Sequence, residues 1–311
     1  MSPKVSINLC CYNSEKYLRE TLDSIVNQTF KDWELIVIDD GSSDSTGLLI
    51  REYQDKGYPI FYHYQNNSGL SNSRNKALEL SKGKYIAFID HDDLWVANKL
   101  KLQVQMLETN ERIGLIHSNW VSFNAKGYQV TMFSRPQPCG MVFQNQLDDY
   151  SFGIPTVMIR REVLKELDHF FEPSLTICEE VDLFLRICLI WEVGYIHDVL
   201  ARYRMHSKSL LVSKGDRYGI ELEYIANKQK QLLGDKYHLY EKEIARLFAR
   251  AAYQKAYYQM SIGDYSIARI LIRPYLLSWP KLILAYYATY IPFKHFQLIL
   301  KLFRRKFHVS S

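Results

Sequence analysis

The apolar positions of the first 120 residues switch between two periods. VSINLCC (5–11), WELIVID (33–39), PIFYHY (59–64), KYIAFID (84–90) and IGLIHSNW (113–120) are short, apolar and rich in β-branched or aromatic residues. Strands buried on both faces read this way. Between them the spacing is helical. Leu18, Leu22, Ile25 and Val26 share one face of 14–28, with Ser14 placed to cap it. Residues 46–56, 70–82 and about 96–109 repeat the pattern. Regular alternation of strand and helix predicts an α/β fold with a mostly parallel sheet flanked by helices. Ligands in such sheets bind beyond the carboxyl ends of the strands, so loops 11–14, 39–45, 65–74 and 90–95 are the places to look for chemistry.

From 120 to 160 the pattern is irregular and broken by Pro136, Pro138 and Pro155. Residues 161–168 read as helical, and 179–192 form a stronger helix with Val181, Phe184, Leu185 and Leu189 on one side. GYIHDVLARYRMH (194–206) supplies a strand and a loop. Past about 211 strand signals stop, and 216–233, 237–261 and 264–273 read as helices. The expected division is therefore a catalytic-type α/β domain over 1–210 and a helical region over 211–311.

Charge follows the same division. Residues 1–210 carry 22 Lys and Arg against 27 Asp and Glu, whereas 211–311 carry 17 against 7, so the net charge of +5 describes neither part. After Asp264 eight basic residues follow and no acidic one. The five Cys form no CxxC pair, which argues against a zinc module or a disulfide scaffold and for a reduced, cytoplasmic setting. The opening MSPKVSINLCCYN has too short an apolar run for a signal peptide.

GxGxxG, GxxxxGK[ST], HExxH and GxSxG are all missing. Carboxylates at strand ends stand out instead. Asp39-Asp40 follow the second strand and Asp90-His91-Asp92-Asp93 the fourth. Like charges this close repel unless a cation or hydrogen-bond donors offset them, and a purely oxygen set suits Mg²⁺ or Mn²⁺. Asp39-Asp40-Gly41-Ser42 alone also fits turn chemistry with a helix cap, and DHDD an N-cap for the next helix. Glu179-Glu180-x-Asp182 opens a helix, which fits either a favourable dipole contact or a general base.

Taken together, NLCCYNSEKYLRETLDSIVNQTFKDWELIVIDDGSSDST, NSGLSNSRNKALELSKGKYIAFIDHDDLW, TVMIRREVL, EEVDLFLR and YRMH resemble the family 2 inverting glycosyltransferases of bacterial cell-surface polysaccharide synthesis, over roughly residues 4–210. The resemblance implies a GT-A (Rossmann-like) fold and a nucleotide-sugar donor. It places Cys10, Tyr12 and Asp40 at the nucleotide base and ribose, with Arg74 near the diphosphate. It makes Asp90 and Asp92 the acids of a DXD motif, the first meeting the sugar nucleotide and the last the metal, with Asp93 behind them. Glu180 takes the place of the usual Asp base beside Glu179, and His206 of YRMH caps the metal or the leaving diphosphate. The acceptor class it implies is a glycan or lipid-linked saccharide. The competing class is a degenerate transferase fold that only holds a glycan or a membrane partner.

The tail has its own pattern. Phe296, Ile299, Leu300, Phe303 and Phe307 fall on one stripe, with Lys294, Lys301, Arg304 and Arg305 mostly opposite. No 18-residue uncharged run exists, so a spanning helix is not expected. The stripe fits a helix lying on an anionic membrane surface, and hence peripheral attachment at the inner face of the cell membrane. It equally fits a helix packed on the enzyme body. Nucleic acid is excluded as a partner, because the aromatics line the apolar stripe instead of interleaving with the charge.

Overall fold

The computed structural model describes residues 2–206 and 215–296. The chain forms two compact units. The first comprises Met1–Phe143 and Tyr150–His206; the second joins Gln144–Asp149 to the chain after His206.

The first unit is built on one sheet. Its elements in order are β1 (Val5–Cys11), α1 (Leu18–Val26), β2 (Trp33–Asp39), α2 (Thr46–Asp55), β3 (Ile60–Tyr64), α3 (Leu70–Leu80) and β4 (Tyr85–Asp90). There follow β5 (Leu94–Trp95), α4 (Lys99–Thr109), β6 (Ile113–Phe123), β7 (Gln129–Thr131), β8 (Met158–Arg160), α6 (Glu179–Ile190) and β9 (Glu192–Arg204); α5 (Phe143–Asp148), between β7 and β8 in the chain, belongs from Gln144 onward to the second unit. Strand order is β3-β2-β1-β4-β8-β6-β9-β5, with β7 on β6. β1 pairs in parallel with β2 and β4, and every one of its residues is buried, as its unbroken apolar run requires.

Two strands depart from the parallel pattern. β8 inserts antiparallel between β4 and β6. The two-residue β5 pairs antiparallel with β9, Leu94 opposite Arg202. Continuing that register sets residue 93 against 203 and 92 against 204, which folds the end of β9 back over the carboxyl end of β4. The stretch 161–168 expected as helix is a 3₁₀ segment, Arg161–Glu166. Ser14 does not cap α1: its hydroxyl accepts from the Tyr12 N–H at 3.0 Å, and the helix starts four residues later. Asp90–Asp93 do not cap α4 either, since that helix begins after Asn98.

In the second unit α7 (Gly215–Leu233) packs along α8 (Glu241–Ser261), followed by α9 (Tyr265–Ile272) and α10 (Lys281–Ala288). Gly219 permits the close crossing, since a Cβ there would lie 2.7 Å from the Lys255 amide nitrogen. α5 joins this unit through Asp148, which accepts from Arg246 at 2.7 Å, and through Gln144, which donates to Glu243 at 3.0 Å. Of the stripe expected in the tail only Phe296 lies within the described residues. It is buried against Tyr257 and Phe293, with Met260 and Ile272 in the same core. The remainder of that stripe, from Ile299 onward, lies outside the described residues.

Lys99 is an unusual core residue of the first unit. It is buried, its ammonium lies 4.4 Å from the Trp95 ring centroid, and its hydrogen-bond partner is the neutral Gln103. Burial holds its pKa well below the usual lysine range. The unfolded chain therefore binds a proton that the folded chain releases, and wild-type stability rises with pH towards the ordinary lysine pKa. Lys99→Met removes that cost, so it should stabilise the protein at pH 7. The advantage should shrink at alkaline pH. Denaturant unfolding at neutral and alkaline pH checks this; parallel curves for the two proteins would show that Lys99 keeps its charge in the fold.

Candidate active site

The register of the central strands collects the chemistry. Cys11 is opposite Asp39 and Cys10 opposite Asp90, so β1, β2 and β4 end together and deliver their last residues to one edge. This is the edge picked out by the alternating pattern.

Arg74 lies at the centre of this edge. α3 carries it inward, and it is 5% exposed, so it is no solvated residue of an outer helix face. Its guanidinium donates to Asp90 at 2.8 Å and to Glu179, and lies over the Phe171 ring. Burial acts to lower its pKa, but the charges of Glu179 and Asp90 outweigh that and hold it above its ordinary value. The neighbours of Arg74 on α3 grip the same segment. Ser71 donates to the Leu175 carbonyl, and the Asn75 amide exchanges two 2.8 Å hydrogen bonds with the Phe171 backbone. α3 thereby fixes the approach to α6.

The three acids opening α6 have different surroundings. Glu179 is buried on Arg74. Asp182 is buried and paired with Arg186 at 2.9 Å, and Arg186 also donates to the carbonyls of His169 and Phe170. Glu180 is half-buried and makes no ion pair among the described residues. Burial, then the adjacent Glu179 charge, push its pKa up to about 8, against a lowering pull from Arg74. Sequence reasoning passed over Tyr150. Its hydroxyl is buried without a hydrogen-bond partner among the described residues, and burial followed by the charge of Glu180 raises its pKa. Its ring packs on Phe152, which packs on Phe184, one helical turn beyond Glu180. A tyrosine at the end of an irregular, proline-broken stretch offers no periodic signal of such a position.

The DHDD turn is held from several sides. The Asp93 N–H donates to the Asp90 carbonyl, and the Thr21 hydroxyl lies 2.8 and 2.9 Å from the carbonyls of His91 and Asp93. Asp93 is completely buried, and its Oδ1 accepts from the Arg204 N–H at 2.8 Å. Burial, then the charges of Asp92 and Asp90, raise its pKa well above the usual carboxylate range. Arg204 donates from Nε to the Asp92 carbonyl and pairs with Glu20. The antiparallel β5–β9 pairing brings His206 to Asp92, with Nε2 2.6 Å from Oδ2, and its ring sits beside Tyr17. Asp92 and His206 both retain some exposure, 16% and 18% of their side chains.

Cys10 is buried and its thiol is pushed up to about 12 by burial, so it stays protonated. Tyr12 is 53% exposed. Asp40 is buried: Oδ1 accepts from the Gln65 amide and the Ser68 N–H, and Oδ2 from the Gly69 N–H at 2.9 Å. Gly69, at φ +90°, is the N-cap of α3, so Asp40 closes the helix start from a distant loop. The turn reading of DDGS holds for Asp39 alone, which accepts from the Ser42 N–H at 2.9 Å.

Among the described residues no three His, Cys, Asp or Glu side chains converge into a cage that could hold a metal by itself. Asp92 with His206 offers one carboxylate and one imidazole. That partial set fits a Mn²⁺- or Mg²⁺-type ion whose other ligands come from phosphate and water.

The profile described as Glycosyl transferase family 2 matches residues 6–168, more than half of the chain. The Escherichia coli protein WfgD, named as a UDP-Glc:alpha-D-GlcNAc-diphosphoundecaprenol beta-1,3-glucosyltransferase, is 30% identical over 212 residues, covering 68% of this chain and 80% of its own. TuaG of Bacillus subtilis, a putative teichuronic acid biosynthesis glycosyltransferase, is 30% identical over 215 residues, covering 68% and 83%. Among solved structures, S. aureus TarS in complex with UDP-GlcNAc superposes with a TM-score of 0.62 at 19% identity over 86% of each chain. The mannosyltransferase PcManGT of Pyrobaculum calidifontis, in complex with GDP-Man and Mn²⁺, gives 0.62 at 17% identity over 95% and 83%. At such identities the two structures speak for the fold alone, and that fold is GT-A. The profile and the two relatives speak for the family: the chain belongs to glycosyltransferase family 2 and is a glycosyltransferase.

Proposed function

We propose that the protein moves a sugar, with inversion, from a nucleotide-diphospho sugar to a glycan or lipid-linked saccharide, with Glu180 as the general base. The observation that carries this is the division of labour at the start of α6: Glu179 is committed to Arg74 and Asp182 to Arg186, leaving Glu180 able to accept a proton. The acceptor class draws on WfgD, whose name gives it a diphosphoundecaprenol-linked substrate. It puts the reaction at a membrane face, and we place it at the cytoplasmic side, in a bacterial polysaccharide pathway like those of WfgD and TuaG.

In this reading Cys10 and Tyr12 line the nucleotide side, Tyr12 offering an exposed ring for the base. Asp40 acts through the 65–69 loop that it holds in place. Arg74 fixes Asp90 towards the donor and Glu179 away from the acceptor. Asp92 and His206 are the residues that would hold Mn²⁺ or Mg²⁺, with Asp93 and Arg204 bracing the turn behind them. The ion's contribution when bound is to offset negative charge on the leaving diphosphate. The acceptor hydroxyl forms a bond to the anomeric carbon from the face opposite the nucleotide, its proton passes to Glu180, and the bond to the nucleoside diphosphate breaks. One base and one displacement invert the centre without a covalent enzyme intermediate.

Glu180→Gln should lower turnover by about 10²–10⁴-fold while leaving donor affinity nearly intact. Steady-state kinetics with calorimetry of donor binding checks this; an equal loss in Asp182→Asn, with Glu180→Gln still active, would put the base elsewhere. The same residue sets a pH dependence. Below a pKa of about 8 Glu180 holds a proton and cannot take another, so kcat/KM should climb as pH rises towards that value and then level. An acid limb near pH 4.5, that of an ordinary glutamate, would contradict the assignment. Asp92→Ala should abolish the Mn²⁺-dependent part of nucleotide affinity, and His206→Ala should weaken it. Unchanged Mn²⁺ dependence in the Asp92 variant, read by calorimetry, would remove the metal role from this pair.

A further inference from the structure

The helical unit leaves much of its apolar surface outside its own core. On α9, Ala268 and Ile272 are buried, while Ile270 on the opposite side is 70% exposed. On α10, Leu282 and Ala285 are buried, while Leu284 and Tyr287, one helical step apart, are 72% and 66% exposed. Leu277, in the turn between the two helices, is 96% exposed. Arg269 connects these outer sides. It donates to the Thr289 carbonyl at 3.2 Å and lies 4.7 Å from the centroid of the Tyr290 ring, itself 63% exposed.

The charge that the chain after Asp264 brings to this surface has one sign. Arg273 and Lys281 are exposed, Lys281 beside the half-buried Trp279, and no Asp or Glu occurs in the sequence after Asp264. Aliphatic side chains standing in water, tyrosines at their margin and cations around them match the boundary between lipid headgroups and acyl chains. A second copy of the chain is a poor occupant. In a two-fold contact the patch would face itself, setting cations against cations with no carboxylate to answer them. A spanning role is excluded for these helices, since none of the described helices is long and apolar enough to cross a membrane. Nor does Phe296, buried in the unit's core, belong to the lipid-facing set.

We infer that the α9–α10 surface, centred on Leu277 and Leu284, docks the protein on an anionic lipid bilayer. The cations draw it to the surface, and the aliphatic side chains enter the headgroup boundary. Attachment is peripheral and sensitive to salt. The inference does not depend on Glu180 or Asp92, and its test is read without turnover.

The full chain is sedimented with phosphatidylcholine vesicles with and without phosphatidylglycerol, at low and high salt. Wild type should sediment with phosphatidylglycerol vesicles at low salt and return to the supernatant at high salt. The double variant Leu277→Glu/Leu284→Glu should bind about tenfold or more weakly. Both positions are exposed, so circular dichroism and melting should match wild type. Arg273→Ser/Lys281→Ser should weaken binding and flatten its salt dependence. Wild type left in the supernatant with anionic vesicles at low salt would overturn the inference. Undiminished binding of the leucine variant would do the same. A concentration-dependent dimer in sedimentation velocity, lost in the leucine variant and accompanied by no vesicle binding, would instead assign the face to self-association.

Discussion

A buried guanidinium shared by two carboxylates organises the catalytic unit. Arg74 comes from α3, Asp90 from the end of β4 and Glu179 from the start of α6, so three segments distant in sequence meet at one charge. Taking such a charge out of water is costly, and only the pair of carboxylates offsets it. Removing a partner from a buried pair of this kind costs about 3–5 kcal/mol, because a charge is left without compensation. The contacts of Ser71 and Asn75 with the 171–175 backbone make the arrangement rigid from the same helix. Position follows from this. Glu180, next to Glu179, is aimed by a residue whose own place is fixed by Arg74.

The second constraint is topological. A two-residue strand would be worth little alone, yet β5 sets the register that returns Arg204 and His206 to the DHDD turn. Residues separated by more than 110 positions thereby share hydrogen bonds. Buried Asp93 is tied to the Arg204 backbone, so the partly exposed Asp92 carboxylate stands on a fixed support. The site is assembled from strand ends, but its rigidity comes from buried polar bonds behind them.

The parallel half of the sheet was legible because buried strands and amphipathic helices have distinct periods, and the first five apolar runs all became strands. β8 was not, being three residues long and preceded by Pro155 and a 3₁₀ turn. α10 was not legible, being eight residues long and starting directly after a proline, Pro280, which serves as its N-cap. The carboxylates at strand ends announced themselves. The burial of Arg74 did not, since its partner Glu179 lies 105 residues away and local pattern carries no trace of it. The attachment of 144–149 to the helical unit has the same cause, its bonds to Glu243 and Arg246 spanning 99 and 98 residues. Charge asymmetry and the missing acids after Asp264 were visible in composition, but which apolar residues face outward depends on how the helices pack.

Charge at the sheet edge connects these points. Asp90 and Glu179 share the Arg74 guanidinium, Glu180 follows Glu179, and Asp92 and the buried Asp93 continue the turn after Asp90. In the proposed reading a diphosphate would add further negative charge at this edge, which a cation bound with it would offset. That is the physical argument for a divalent ion, and it needs no cage of protein ligands. Burial raises the pKa of Glu180 most, and repulsion from Glu179, which Arg74 only partly offsets, adds to it. A carboxylate with a raised pKa is the stronger base once it has lost its proton. In the proposed reaction, a cation bound with the donor and a base of raised pKa beside the acceptor would both answer the carboxylates gathered at this buried edge.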